Sequence, residues 1–207
     1  MRVNRLVVGP FAANCYIVNR ESSKQCVIID PGGDAARIKN TLADLRLQAE
    51  AVLLTHGHID HLFALAAFSG NDAITVIAHE DEKVILAGVS LQSRMFGLEE
   101  MPAPEISRWV HDNDMIQIAE MSFRVIHTPG HSPGGCCFFT DAAIFVGDTL
   151  FDSSIGRTDL PGGNYDHLIH SIRKKLFILP DDTLVYPGHG EQTTIGREKK
   201  FNPFLRG

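Results

Sequence analysis

The chain has 207 residues, 44% of them hydrophobic and 21% charged, with a formal net charge of −6. That length fits a single domain, 1–207, able to bury its own core. The acidic balance excludes the broad basic face of a nucleic-acid binder, and no apolar run is long enough to span a membrane as a helix.

In chain order, apolar or alternating runs predict strands at 2–8, 15–19 and 25–29, separated by Gly9-Pro10 and Arg20-Glu21-Ser22-Ser23. Asp34 is placed to cap a helix whose inner face carries Ala35, Ile38, Leu42 and Leu45. A buried strand at 50–54 runs into a helix at 60–68 with Leu62, Leu65 and Ala66 turned inward. A strand at 74–78 precedes a helical stretch at 79–97, broken near Gly88, that carries Leu91, Met95 and Phe96. Packing is the first reading of such an apolar stripe, and a lid or substrate wall the second. Strands follow at 108–110, 115–118, 122–126, 135–139 and 142–146. A helix at 165–176, capped by Asn164, presents Leu168, Ile172 and Leu176 on one face; a strand at 183–186 and a short helix at 195–200 end the pattern. Two strand-rich halves with helices outside them fit a layered α/β fold.

The chemistry concentrates where strands end. Thr55-His56-Gly57-His58-Ile59-Asp60-His61 follows the apolar run Ala51-Val52-Leu53-Leu54 and packs four potential metal ligands into six residues. Neutral imidazoles beside a carboxylate suit a borderline-soft cation. His131 in Pro129-Gly130-His131, Asp148 in Gly147-Asp148-Thr149 and His189 in Gly188-His189-Gly190 each follow a strand-like run and sit beside glycine. Loops on a rigid scaffold are where catalytic groups gather.

With these residues the chain resembles the metallo-β-lactamase superfamily, and within it the short bacterial glyoxalase II-like hydroxyacylglutathione hydrolases. Asn14-Cys15-Tyr16, Ile29-Asp30-Pro31-Gly32-Gly33, Gly156-Arg157-Thr158-Asp159 and Asn202-Pro203-Phe204-Leu205 agree. The resemblance implies a four-layer αββα sandwich with the site at one edge. It implies two divalent metal ions, the first on His56, His58 and His131, the second on Asp60, His61 and His189, with Asp148 bridging. Zinc is the default, with iron and manganese as alternatives. Asp60 and Asp148 would be catalytic, through a hydroxide shared by cations about 3.5–4 Å apart. Asp30 would support a ligand from behind, although as a bare sequence feature it is a turn residue.

The substrate is less legible. The stretch after His189 leaves no room for the C-terminal helical region of full-length glyoxalase II. Arg157 and Asp159 stand where that type has a lysine and a tyrosine. Arg157 is the expected substrate-binding residue, able to pair with a carboxylate. The expected partner is a small acyl-thiol such as S-D-lactoylglutathione, hydrolysed to the acid and glutathione, with no nucleic acid and no membrane involved. The main rival is a persulfide dioxygenase, which uses one iron on two histidines and an aspartate and shares Gly156 to Asp159; lactone hydrolysis is another. Thr149 and Gly188-His189-Gly190 favour the hydrolase.

Cys15, Cys26, Cys136 and Cys137 lie in apolar strand-like surroundings and read as buried free thiols, which with the start Met1-Arg2-Val3 points to the cytoplasm. Arg197, Lys199 and Lys200 form a basic cluster that reads equally as a solvated helix face or an anion-recruiting patch. His79, His111, His127, His167 and His170 match no motif and read as ordinary histidines.

Overall fold

A computed structural model describes residues 1–69 and 74–206. The first half forms one sheet in sequence order, from β1 (Arg2–Val8), β2 (Ala13–Asn19), β3 (Gln25–Ile29), β4 (Gln48–Leu53), β5 (Thr75–His79) and β6 (Arg108–Val110). The first three strands pair antiparallel and the remaining pairs are parallel. The second half builds the other sheet from β7 (Met115–Ile118), β8 (Met121–His127), β9 (Cys136–Thr140) and β10 (Ala143–Gly147). A hairpin of β11 (Leu150–Phe151) and β12 (Ser154–Ile155) follows, and β13 (Leu184–Pro187) then joins β10 in parallel with β14 (Thr193–Thr194) on its far edge.

Strand alternation divides the apolar residues among three cores. Tyr16, Val18, Val27, Ile29 and Leu53 point between the sheets and meet Phe123, Val125, Cys136, Phe138 and Phe145. The alternate residues Cys15, Ile17, Cys26, Ile28 and Val52 point outward onto Ile38 of α1 (Ala35–Leu45). On the other sheet Ile126, Cys137, Ile144 and Val146 point outward onto Leu168 of α4 (Tyr165–Ser171) and onto Ile172 and Leu176 of the wider π-type turn that extends it. The result is the αββα sandwich. Cys136 and Cys137 face different cores, and the four cysteines are buried free thiols.

Three local expectations change. Residues 60–68 are two 3₁₀ turns, Ile59–His61 and Leu65–Ala67, so Leu62 and Leu65 are buried while Ala66 is exposed. The chain turns sharply there to bring Asp60 and His61 back towards the strand end. Asp34 precedes α1 in a left-handed conformation and does not cap it; its carboxylate accepts the Gly9 N–H instead. The helical stretch at 79–97 breaks at Gly88 as expected, into α2 (Lys83–Ala87) and α3 (Val89–Met95), and what changes is the packing expected of its apolar stripe. One face packs through Leu86 and Val89, while Val84, Leu91, Met95 and Phe96 stay exposed. Asn164 does cap α4, accepting the His167 N–H, and α5 (Ile195–Phe201) lies where expected. No helix among the described residues is long and apolar enough to cross a membrane.

Candidate metal centre

All seven anticipated ligands gather where β4, β8, β10 and β13 end, at their carboxyl edge. His56 Nε2 lies 3.3 Å from His131 Nε2, and His58 Nδ1 lies 2.9 Å from the same atom. Beside them Asp60 Oδ2 lies 3.2 Å from His189 Nε2 and 3.6 Å from His61 Nε2. Asp148 stands between the two groups. Its Oδ2 is 3.7 Å from both His131 Nε2 and His189 Nε2, and its Oδ1 is 3.4 Å from His61 Nε2.

Three of the five imidazoles are oriented from behind. His61 Nδ1 donates to Asp30 Oδ2 at 3.1 Å, and His131 Nδ1 donates to the Arg157 carbonyl at 2.8 Å. The Thr55 hydroxyl donates to Asp30 Oδ2 at 2.6 Å, so it accepts from His56 Nδ1 at 3.1 Å. Carboxylates and carbonyls only accept, which puts these protons on Nδ1 and leaves Nε2 of His56, His61 and His131 as the inward lone pairs. Asp30 also accepts the Thr55 N–H at 2.8 Å, and it holds this post in a left-handed conformation, φ 51°. Strain of that kind persists where surrounding contacts over-determine it. Asp30 is therefore more than a turn residue.

The His189 loop is pinned by the start of β2. Asn14 donates its backbone N–H to the Gly188 carbonyl and its amide to the carbonyls of Pro187 and Gly190, while the Tyr16 hydroxyl donates to the Pro187 carbonyl at 2.6 Å. At Gly188 a Cβ would stand 2.2 Å from Asp148 Oδ1, so only glycine admits the carboxylate here.

The donor set fits divalent cations. Ligands on one tetrahedral centre with bonds of about 2.0–2.1 Å stand roughly 3.3 Å apart, close to the spacing of the first three nitrogens. His61 Nε2 and Asp148 Oδ1 are buried without a hydrogen-bond partner, a costly state for a protein left to itself. Burial opposes a charge on His61, but Asp148 and Asp60 outweigh it and raise its pKa well above the ordinary value, so a cation at its Nε2 would take the place of a proton. Burial and the neighbouring imidazoles push His58 down to about 4 and His56 well below its ordinary value, keeping both neutral. Burial opposes ionisation of Asp148, but His61, His131 and His189 outweigh it and hold its carboxyl well below the usual range.

Two supporting residues escaped the sequence reading. Glu82, 1% exposed, accepts the Gly57 N–H at 2.8 Å through Oε2 and the Gly134 N–H at 2.8 Å through Oε1. It thereby ties the loop of His56 and His58 to the loop of His131. Gln92 of α3 accepts the Ile59 N–H and donates to the Gly57 carbonyl. In His79-Glu80-Asp81-Glu82 nothing in sequence separates Glu82 from half-buried Glu80 and exposed Asp81.

Arg157 lies on the rim of the cavity above the centre, its guanidinium paired bidentately with Asp159 at 2.7 Å for both bonds. Arg197 pairs with Asp152 and Lys199 with Asp181 and the Leu179 carbonyl, so two of the three cations face acids, while Lys200 lies over the Phe201 ring. His79, Asp81 and His127 form a separate group outside the centre. The two rings stack at 4.0 Å and 15°, which keeps their in-plane lone pairs from converging, and His127 Nε2 faces the Pro133 carbonyl.

The family model of the metallo-beta-lactamase superfamily matches residues 8–189. The chain belongs to the metallo-β-lactamase superfamily. A curated member, hydroxyacylglutathione hydrolase GloC of Haemophilus influenzae, is 37% identical over 209 residues, covering 99% of this chain and 98% of its own length. The BLEG-1 B3 metallo-beta-lactamase crystal structure is 38% identical and superposes with a TM-score of 0.93 over 100% of both chains. The TTHA1623 structure, in a di-iron-bound form, is 36% identical with a TM-score of 0.89 over 98% of this chain and 100% of that one. The fold is thus that of a metallo-hydrolase superfamily, in which one of these relatives holds two irons and the named activities differ in substrate.

Proposed function

We propose that this metallo-β-lactamase superfamily member is a thioester hydrolase acting on small acyl-thiols, S-D-lactoylglutathione among them. The observation that carries the reading is the completeness of two three-ligand groups around Asp148, with buried lone pairs that no protein group satisfies. His56, His58 and His131 would hold one cation, and Asp60, His61 and His189 the other, with Asp148 between them. Zinc is the first candidate, iron and manganese the next. Such a pair, when bound, supplies an acidified water and a Lewis acid for a carbonyl.

The chain's own groups do the rest. Asp60 faces the cavity; burial disfavours its charge, but His61 and His189 outweigh that and lower its pKa, so it is ionised at neutral pH and can orient the attacking water. The thiols cannot compete as nucleophiles, because burial pushes Cys137 up to about 12 and Cys15 higher still. Free thiols also suit a reducing, cytoplasmic setting. Arg157 is placed to meet an anionic tail of the substrate, which must displace Asp159 to reach the guanidinium. Arg157→Ala should raise KM for a glutathione thioester; an unchanged KM removes the residue from substrate binding.

The test pairs metal analysis with a thioester-loss assay on one purified sample. Near two metals per chain with turnover supports the hydrolase. One iron per chain, no turnover and oxygen uptake with glutathione persulfide would replace it with the dioxygenase.

A further inference from the structure

A cavity of about 320 Å³ opens directly onto His58, Asp60, His131 and Asp148. Its walls are mostly hydrocarbon, from Phe11 of the β1–β2 turn, Ile85 of α2, Leu91 and Met95 of α3, Phe96, and Leu160 of the loop after β12, with Gln92 the polar exception and its amide held by Ile59 and Gly57. Phe11 and Phe96 meet edge to face with centroids 5.2 Å apart, joining the two sides of the wall. Yet Met95 is 71% and Leu91 56% exposed, so apolar surface stands open beside a polar centre. Arg157 is the only lysine or arginine among the described residues lining the cavity, and Asp159 already neutralises it.

From this we infer that the cavity is a subsite for the apolar acyl chain of the substrate, so that the enzyme prefers thioesters of short to medium unbranched or aryl carboxylic acids over those of hydroxy acids. The inference rests on the thioester reading and names its acyl group. A carbonyl at the centre has two substituents. The polar thiol carrier belongs at the rim with Arg157 and Asp159, which leaves the hydrocarbon wall to the acyl chain. The volume, at the small end of the ~300–1,000 Å³ of ligand pockets, suits such a chain and not a tripeptide. A lactoyl group ends in a single methyl and lays little carbon on the wall, whereas each further methylene buried there is favourable by transfer from water.

The test follows kcat/KM of the metal-loaded enzyme for N-acetylcysteamine thioesters of acetate, lactate, butanoate and hexanoate. It should rise roughly three- to fourfold per methylene, with lactoyl below butanoyl, and Leu91→Asp or Met95→Asp should flatten the rise. A flat profile with turnover intact overturns the subsite and leaves the hydrolase reading standing. So does a flat profile from a dimer that Leu91→Asp dissociates, which makes the wall an interface between copies. If no thioester turns over, the thioester reading fails, and calorimetric binding of acetate, butanoate and hexanoate to the loaded protein decides the subsite alone. Affinity rising with chain length supports it, and equal affinities overturn it.

Discussion

The floor of the cavity and its α2–α3 wall are built on opposite principles. On the floor four of the seven ligands answer to something behind them. Asp30 holds His61 and Thr55, Thr55 holds His56, the Arg157 carbonyl holds His131, and Asn14 and Tyr16 hold the His189 loop. On the wall, Leu91 and Met95 of the short helix α3 and Phe96 just after it are exposed side chains. Hydrogen-bonded, buried groups tolerate almost no change, because removing one partner strands another. Exposed apolar groups with few partners inside the protein are freer to change. The contrast assigns chemistry to the floor and substrate choice to the wall.

The largest effect that would test this division is at Asp148. Asp148→Ala should cost on the order of 10³-fold in kcat/KM and remove metal from the second group, read by metal analysis after dialysis. Hydrolysis left intact would sink the two-cation mechanism. Glu82 sharpens the comparison, since it touches no ligand. Glu82→Gln turns an N–H donor towards a glycine N–H and should weaken the His56, His58 and His131 cation by roughly 10–100-fold. Metal titration should show the second cation unaffected; equal loss at both would mean general loosening of the fold.

His79 tests whether the histidines outside the floor act on stability alone. Burial, with His127 next, lowers its pKa to about 4 from 6.5. A histidine depressed in the folded state costs stability as pH falls below the unfolded value, because the unfolded chain takes up the proton first. Between pH 7 and 5 this should remove on the order of 1 kcal/mol, because solvent partly screens the ring. His79→Asn, which keeps an acceptor for the Asp81 N–H, should be flatter by that amount in denaturant titrations, and identical slopes would remove His79 from the acid sensitivity. The smallest effect belongs to the wall: Met95→Ser should change stability by less than about 0.5 kcal/mol while altering relative KM values. A large drop in Tm would instead make Met95 part of the core.

The strands were legible because both faces of each sheet are buried, giving apolar runs such as Cys26-Val27-Ile28-Ile29 and Ala143-Ile144-Phe145-Val146. Segment 60–68 was misread because its leucines recur at helical spacing, whereas the backbone there answers to ligand placement. The cap at Asp34 was misread for a similar reason: its carboxylate found the Gly9 amide, a partner distant in sequence.

What the sequence by itself determined is local: the strand pattern, the superfamily through its ligand motifs, and the glycines that mark strand ends. Tertiary structure alone decided which groups act together. It took one buried carboxylate from an acidic run and made Glu82 the tie between two loops, it spent the fork of Arg157 on Asp159, and it split one apolar stripe between core and cavity. Periodicity and motif spacing report a residue's immediate backbone, whereas a hydrogen-bond partner or an exposed face is set by segments that meet only when the sheets close.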